Sequence, residues 1–348
     1  MPQVDLTGKR VLVTLPLSNE QEAWIRSLVE RAGGTASFVR EPLVADADTE
    51  GASIIFGNVP ARTLHGSQKL EWFQTSSAGY DHYLAEGLLA PITILTNASG
   101  AYGQAVSEHM LASLMCLMKK LHLYRDGQCA SKWEDRGPVT SLVGATVLIM
   151  GAGDIGTSFA RLISALGAHA WGVRRQAGEC HDPFERMLSL DDVSFVLGEA
   201  DVVACVLPSS PETRGFCNAA FFSAMKKGSF FVNAGRGDLV DQDALVEVLA
   251  NGRLAGAALD VTSPEPLPSD HPLWLQENAL ITPHVAGFWH LQATVDAVVG
   301  ICMVLAVPMD GHAPNEGHAH SSISRTASSA SAPMTATSSS ASTNLFPR

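Results

Sequence analysis

The sequence predicts an α/β protein built on parallel sheets, and three observations carry that prediction. Short apolar runs of strand length alternate with longer stretches of helical period along most of the chain. The alternation comes in two series, one before about residue 100 and one beginning at Ala145. At the head of the second series an apolar run passes directly into a glycine-rich turn and then a helical stretch. With 348 residues and 46% apolar composition, the chain has room for two domains with separate cores.

Taken in order, residues 11–15 read as a buried strand and residues 20–31 as the helix that follows. Further strands are expected at 53–56, 71–75 and 92–95, separated by glycine, proline and polar turns. Residues 104–125 read as one long helix, with Val106, Met110, Leu114 and Leu117 on its apolar face. The second series places strands at 146–150, 169–173, 202–206, 230–233 and 257–259, with helices at 159–166 and 244–249 covering the sheet. Repeated βα units bring their loops to the carboxyl edge of a parallel sheet, where ligands bind. The apolar run after Pro283 predicts a closing helix to about Leu305, which Pro308 would stop. From 311 to 348 serine, alanine and threonine dominate without a hydrophobic period, and a disordered tail is expected there.

Composition excludes several partners. A formal net charge of -12 disfavours nucleic acid and anionic membrane surfaces. No stretch of about twenty apolar residues offers a membrane span, and the first residues lack a secretory pattern. The cysteines at 116, 129, 180, 205, 217 and 302 form neither a disulfide framework nor a paired CxxC metal site. Reduced thiols, a cytoplasmic location and no metal are the expectation.

The sharpest local signal is Gly151, Gly153 and Gly156 in G-x-G-x-x-G spacing, with Ala152, Asp154 and Ile155 between them. The first glycine permits the tight turn, the second the approach of a diphosphate, and the third close packing of helix on strand. Asp154 would repel a diphosphate, so its carboxylate is expected to point away or to meet a helix N-terminus. About 18 residues beyond Gly156 stand Arg174 and Arg175, where NAD-binding units commonly carry an acidic residue against the ribose. Two guanidinium groups there favour the extra phosphate of NADP(H), with NAD(H) the alternative.

Three later segments, PSSPETRGFCN, FFVNAGRGDLVDQDAL and ALDVTSPEPLPSDHPLWLQENALITPHVAG, join this signature in a fixed order. Together they resemble the D-2-hydroxyacid dehydrogenase family, from Met1 to about Gly311 and most strongly from Val147 to Gly287. The resemblance implies two Rossmann-like domains with parallel sheets and an inter-domain cleft. A substrate domain of residues 1–103, completed by a returning segment 286–310, would face a nucleotide domain of residues 104–285. It also implies a homodimer. Residues 297–307 are more apolar than that family's corresponding region, and the tail lies outside the resemblance.

By the same resemblance Arg236 matches the arginine that binds the substrate carboxylate, His284 the acid/base, and Glu265 the carboxylate paired with it. Arg236 and His284 would also border the cofactor, together with Pro208, Ser209, Thr213, Ala234, Asp260 and Gly287. Asp260 would accept from the nicotinamide carboxamide, or else satisfy loop amides after its strand. Gly287 would let the histidine loop approach the nicotinamide ring. The loop 75–81 resembles the substrate loop, with backbone N–H groups at Ala78 and Gly79 for a carboxylate and Tyr80 shaping the pocket. Trp289 is a further pocket candidate. The implied reaction is reduction of a 2-keto acid, glyoxylate or hydroxypyruvate foremost, to the D-2-hydroxy acid. Phosphite dehydrogenase and a nucleotide-sensing, corepressor-like binding protein are the competing readings on the same fold.

Overall fold

The computed structural model of the protein describes residues 6–287, residue 66 apart. Five parallel strands form the first sheet: β1 (Arg10–Val13), β2 (Thr35–Phe38), β3 (Ile54–Phe56), β4 (Trp72–Gln74) and β5 (Ile94–Thr96), in the order β2-β1-β3-β4-β5. Seven parallel strands form the second: β6 (Thr146–Met150), β7 (His169–Arg174), β8 (Arg186–Ser189), β9 (Val202–Cys205), β10 (Phe230–Asn233), β11 (Gly256–Leu259) and β12 (Ala279–Ile281). Their order is β12-β11-β10-β9-β6-β7-β8. The helices are α1 (Asn19–Arg31), α2 (Asp46–Glu50), α3 (Gly103–Met118), α4 (Leu121–Cys129), α5 (Asp154–Ala165), α6 (Val193–Val196), α7 (Ala219–Ala224) and α8 (Gln242–Ala250). The two parallel-sheet α/β domains expected from the alternation are both present.

The period of two in a strand sorts the sequence onto opposite faces of each sheet. In the second sheet Leu148, Met150, Val203, Cys205 and Phe231 enter one core, while Val147, Ile149, Val202, Ala204, Phe230 and Val232 enter the other. The first sheet divides likewise, with Val11, Val13, Ile54, Phe56 and Trp72 on one side and Leu12, Ile55 and Phe73 on the other. Both faces are covered, which is why these strands read as unbroken apolar runs. Local signals fix several helix starts. Ser18 and Gln21 close a capping box on α1, and the Asp241 side chain accepts from the Ala244 N–H at the start of α8.

The single long helix expected over 104–125 is two helices. Lys120 takes a left-handed φ of 56° and separates α3 from α4. No glycine or proline announces this break. At this two-residue break the Lys119 ammonium donates to the Thr140 carbonyl at 2.6 Å and that of Lys120 to the Arg136 carbonyl, tying it to the following segment. Strands β2, β8 and β12 were not expected from apolar runs: β2 is only partly buried and β8 and β12 are edge strands. The closing helix, the tail, Trp289 and all but the first two residues of the segment 286–310 lie outside the described residues. Among the described residues no helix is long and apolar enough to cross a membrane.

Candidate active site

In the second sheet the chain reverses its direction of growth between β6 and β9, and the crevice at such a switch point is where doubly wound sheets bind ligands. The glycine turn leaves β6 at that place. Gly151 has φ 109°, a value that a side chain would strain, and an added Cβ would meet the Val206 carbonyl oxygen at 2.9 Å. A Cβ on Gly156 would stand 2.0 Å from the Gly151 oxygen, so only glycine lets α5 pack onto the turn. At Gly153, the N-cap of α5, a Cβ would meet nothing within 4 Å. Open space directly before a helix N-terminus fits the diphosphate of a dinucleotide. Asp154 turns from this space to the start of α3, where it accepts from the Gly103 N–H; burial raises its pKa, against the lowering effects of that bond and of Arg161.

Ala152 and Ile155 complete the turn, and Arg174 at the end of β7 folds onto it. Its Nε and Nη2 donate to the Ala152 carbonyl at 3.2 and 2.9 Å. Arg175 is highly exposed and lies 3.9 Å from the Glu212 carboxylate. The loop after β9 is a compact turn, in which Thr213 Oγ1 donates to the Pro208 carbonyl at 2.7 Å and accepts from the Ser210 N–H at 2.8 Å. Ser209 donates to Asp238 at 2.6 Å and so ties this turn to the loop after β10.

That loop carries Arg236. Asn233, 1% exposed at the end of β10, accepts from the Gly235 N–H at 3.0 Å and donates to the Arg236 carbonyl at 2.9 Å. The arginine reaches across to the segment that follows β4. Its Nε donates to Asp81 Oδ2 at 3.0 Å and its Nη1 to the Gly235 carbonyl at 2.8 Å. Nη2 lies beside Gly79, where a Cβ would stand only 1.7 Å away. The loop leaving β4 is braced for this meeting. Asn58 accepts from the Ser76 N–H at 3.1 Å, Ser77 donates to the Gly79 carbonyl at 2.6 Å, and Asn97 donates to the Ala78 carbonyl at 2.9 Å. Among the described residues the Ala78 and Gly79 N–H groups donate no hydrogen bond. Two amides and a guanidinium edge thus share one place with the chemistry to hold a carboxylate. Tyr80 packs partly into the first domain's core, and burial lowers the pKa of His82 beside it, with Asp81 opposing and Arg236 adding to the shift.

Glu265 and His284 follow β11 and β12. His284 Nδ1 is 2.9 Å from Glu265 Oε2, and Glu265 Oε1 accepts from the Thr262 N–H at 3.1 Å. A Cβ on Gly237 would stand 1.9 Å from the Thr262 oxygen, so the Arg236 loop and the Glu265 loop touch backbone to backbone. Because the sheet is parallel, adjacent strands β10, β11 and β12 deliver the three expected catalytic residues to one edge. Of the two roles expected for Asp260, the structure shows the loop role: its carboxylate accepts from the N–H groups of Val285 and Ala286, both at 3.0 Å. Gly287 lies against the Tyr102 ring, with Cδ1 2.8 Å from a would-be Cβ. Ala234 is half-buried, beside Asp260 in the lining of a small void.

Sequence reasoning missed Asp81, Asn233 and Tyr102 as parts of the site. The first two stand inside motifs already singled out, and only the folded loops reveal their hydrogen bonds. Tyr102 links the Ser76 carbonyl through its hydroxyl to Gly287 through its ring, a pairing of distant segments that has no local signal. Among the described residues no cluster of three or more histidine, cysteine, aspartate or glutamate side chains could hold a metal ion.

Strand ends converging on a turn shaped for a diphosphate define the class: a two-domain, dinucleotide-binding α/β protein. An imidazole backed by a carboxylate at the same edge adds proton transfer to it. The chain belongs to the D-isomer specific 2-hydroxyacid dehydrogenase family, whose NAD-binding-domain model matches residues 111–286. It is 31% identical over 259 residues to a glyoxylate/hydroxypyruvate reductase B of an Enterobacter species, a match covering 71% of this chain and 78% of that one. It is 39% identical over 151 residues to a human glyoxylate reductase/hydroxypyruvate reductase, covering 43% of this chain and 45% of the other. The crystal structure of a D-isomer specific 2-hydroxyacid dehydrogenase family protein from Aeromonas salmonicida superposes with a TM-score of 0.76 at 30% identity, over 88% of this chain and 98% of that one. The protein is therefore an oxidoreductase of the NAD(P)-dependent type that acts on small 2-hydroxy or 2-keto acids.

Proposed function

We propose that the protein reduces 2-keto acids to D-2-hydroxy acids, with glyoxylate or hydroxypyruvate as substrate and NADPH preferred over NADH. The observation that carries this reading is the His284–Glu265 pair at 2.9 Å on the strand edge that also presents Arg236. Arg236, fixed through Nε and Nη1, offers Nη2 to the substrate carboxylate, and the Ala78 and Gly79 amides complete the cradle. A bound nicotinamide would supply the hydride to C2 of the keto acid. His284, its Nδ1 held by Glu265, gives the proton on Nε2 to the oxygen of the carbonyl as negative charge develops there, and takes it back in the reverse direction. Glu265, bonded to Nδ1, fixes the orientation of the ring.

The turn formed by Gly151, Ala152, Gly153, Asp154, Ile155 and Gly156 holds the diphosphate in this reading, with Pro208, Ser209, Thr213, Ala234, Asp260, His284 and Gly287 bordering the remainder. Arg174, folded onto the Ala152 carbonyl, and Arg175 stand where a 2′-phosphate would need cations. The two reductases named above support the substrate choice. Residues 1–103 serve as the substrate side, completed by 286–310 with Trp289, and residues 104–285 as the nucleotide side. A homodimer and a cytoplasmic setting belong to the same proposal. The side chains of Leu121, Tyr124, Trp133, Val139 and Val143 are exposed apolar surface for the first, and the five cysteines among the described residues, all free, suit the second.

The test is the rate of NADPH and NADH oxidation with glyoxylate, hydroxypyruvate, pyruvate and bulkier 2-keto acids. Turnover with the first two and a higher kcat/KM for NADPH is expected. A strong NADH preference refutes the cofactor assignment, and cofactor binding without turnover on any acid favours a sensing protein.

A further inference from the structure

A side-chain relay reaches the His284 loop from behind, out of helix α3. His109 places Nε2 3.0 Å from Thr282 Oγ1, and the Thr282 hydroxyl donates in turn to Asp260 Oδ1 at 2.6 Å. With its proton directed at the carboxylate, the threonine oxygen can only accept, so His109 carries its own proton on Nε2. Asp260 is 5% exposed and supports the loop through every acceptor it has. Its carbonyl accepts from the His284 N–H at 2.8 Å, Oδ1 from Val285 and Oδ2 from Ala286. Three successive amides thus meet Asp260, that of His284 being shared with the Thr282 carbonyl at 3.0 Å.

The loop needs such support. His284 has φ 53°, a left-handed value that a residue with a side chain keeps only where surrounding contacts hold it. His109, Asp260 and Thr282 line a void of about 10 Å³ between α3 and these strand ends.

The geometry points to His109 and Thr282 as positioning residues, which act through Asp260 to fix the angle at which His284 presents Nε2 to the substrate oxygen. This rests on the reaction proposed above for His284. Neither residue hydrogen-bonds Glu265, Arg236 or the glycine turn in the structure, so substitutions there leave those groups in place. The variants are Thr282→Val, Thr282→Ser, His109→Phe, His109→Gln and the double variant His109→Phe/Thr282→Val.

Thr282→Val and His109→Phe should each lower kcat by about 10- to 100-fold, the scale of a small misplacement of a reacting group, with KM and the NADPH Kd within about twofold of wild type. Thr282→Ser and His109→Gln keep the donors and should recover kcat to within about threefold; the double variant should lose no more than the worse single one. Amide hydrogen exchange over residues 284–287 provides a readout that needs no turnover, and Thr282→Val should speed it at least about tenfold. Unchanged exchange there overturns the relay whatever the turnover, as does an intact kcat in folded Thr282→Val. If Thr282→Val does not fold, the comparison of His109→Phe with His109→Gln decides by the same criteria. A wild-type enzyme with no turnover would count against the assigned reaction, while the exchange result would still judge the relay.

Discussion

A methyl group on Gly79 would stand 1.7 Å from Arg236 Nη2, closer than unbonded heavy atoms approach. The obstruction is the far end of a flexible side chain, so the arginine would move and the fold would hold. Gly79→Ala should therefore raise KM for the keto acid by about tenfold or more, equivalent to roughly 1.4 kcal/mol of lost carboxylate binding, with the thermal midpoint nearly unchanged. Steady-state kinetics and a melting curve check this, and an unaltered KM would remove Arg236 from the substrate site. Asp154 allows a pH prediction. Burial raises its folded-state pKa above 3.8, so the folded chain binds the proton more tightly than the unfolded one. Its contribution to stability is fully present below 3.8 and is lost as pH rises through the raised value. Replacing Asp154 with asparagine should flatten that part of the stability-against-pH profile, measured by thermal melts from acid to neutral pH. An unchanged profile would show that the carboxyl is not held in a desolvated place.

At the scale of elements, the turn between β6 and α5 joins a backbone clash to the proposed diphosphate site. A Cβ at position 156 would lie 2.0 Å from the Gly151 oxygen, and backbone cannot swing aside as a side chain can. Gly156→Ala should cost about 1–3 kcal/mol of stability, the usual scale of overpacking, and should raise the dinucleotide Kd at least about tenfold. Fluorescence titration with NADPH and thermal melts measure both; an unchanged Kd would place the diphosphate elsewhere. This turn was legible in the sequence because each glycine has a separate steric reason within six residues. The break between α3 and α4 was not, since Lys119 and Lys120 find their side-chain partners 21 and 16 residues away. Strand β12 was hidden for a related reason: its three residues are only half-buried at a sheet edge, so no unbroken apolar run marks them.

For the whole molecule, the exposed apolar side chains of α4 and the segment after it call for cover. Trp133 is fully solvent-exposed, and Leu121, Val139 and Val143 are exposed nearby in sequence. Light scattering on the purified protein should give twice the mass of one chain, and Trp133→Glu should shift the population toward monomer. A single-chain mass at every concentration would refute the dimer.

The sequence by itself determined the α/β class, the two series of strands and the glycine turn, and its family motifs single out Arg236, Glu265 and His284 as the proposed reacting set. Those features are local: side-chain alternation, steric demand within a turn, and motifs of a few residues. What only the tertiary structure decided is how they meet. Asp81 holds Arg236 from 155 positions away, and His109 reaches Thr282 from 173 positions away. Parallel strands bring distant loops to one edge, and hydrogen bonds across that edge depend on register and packing, which no window of sequence contains.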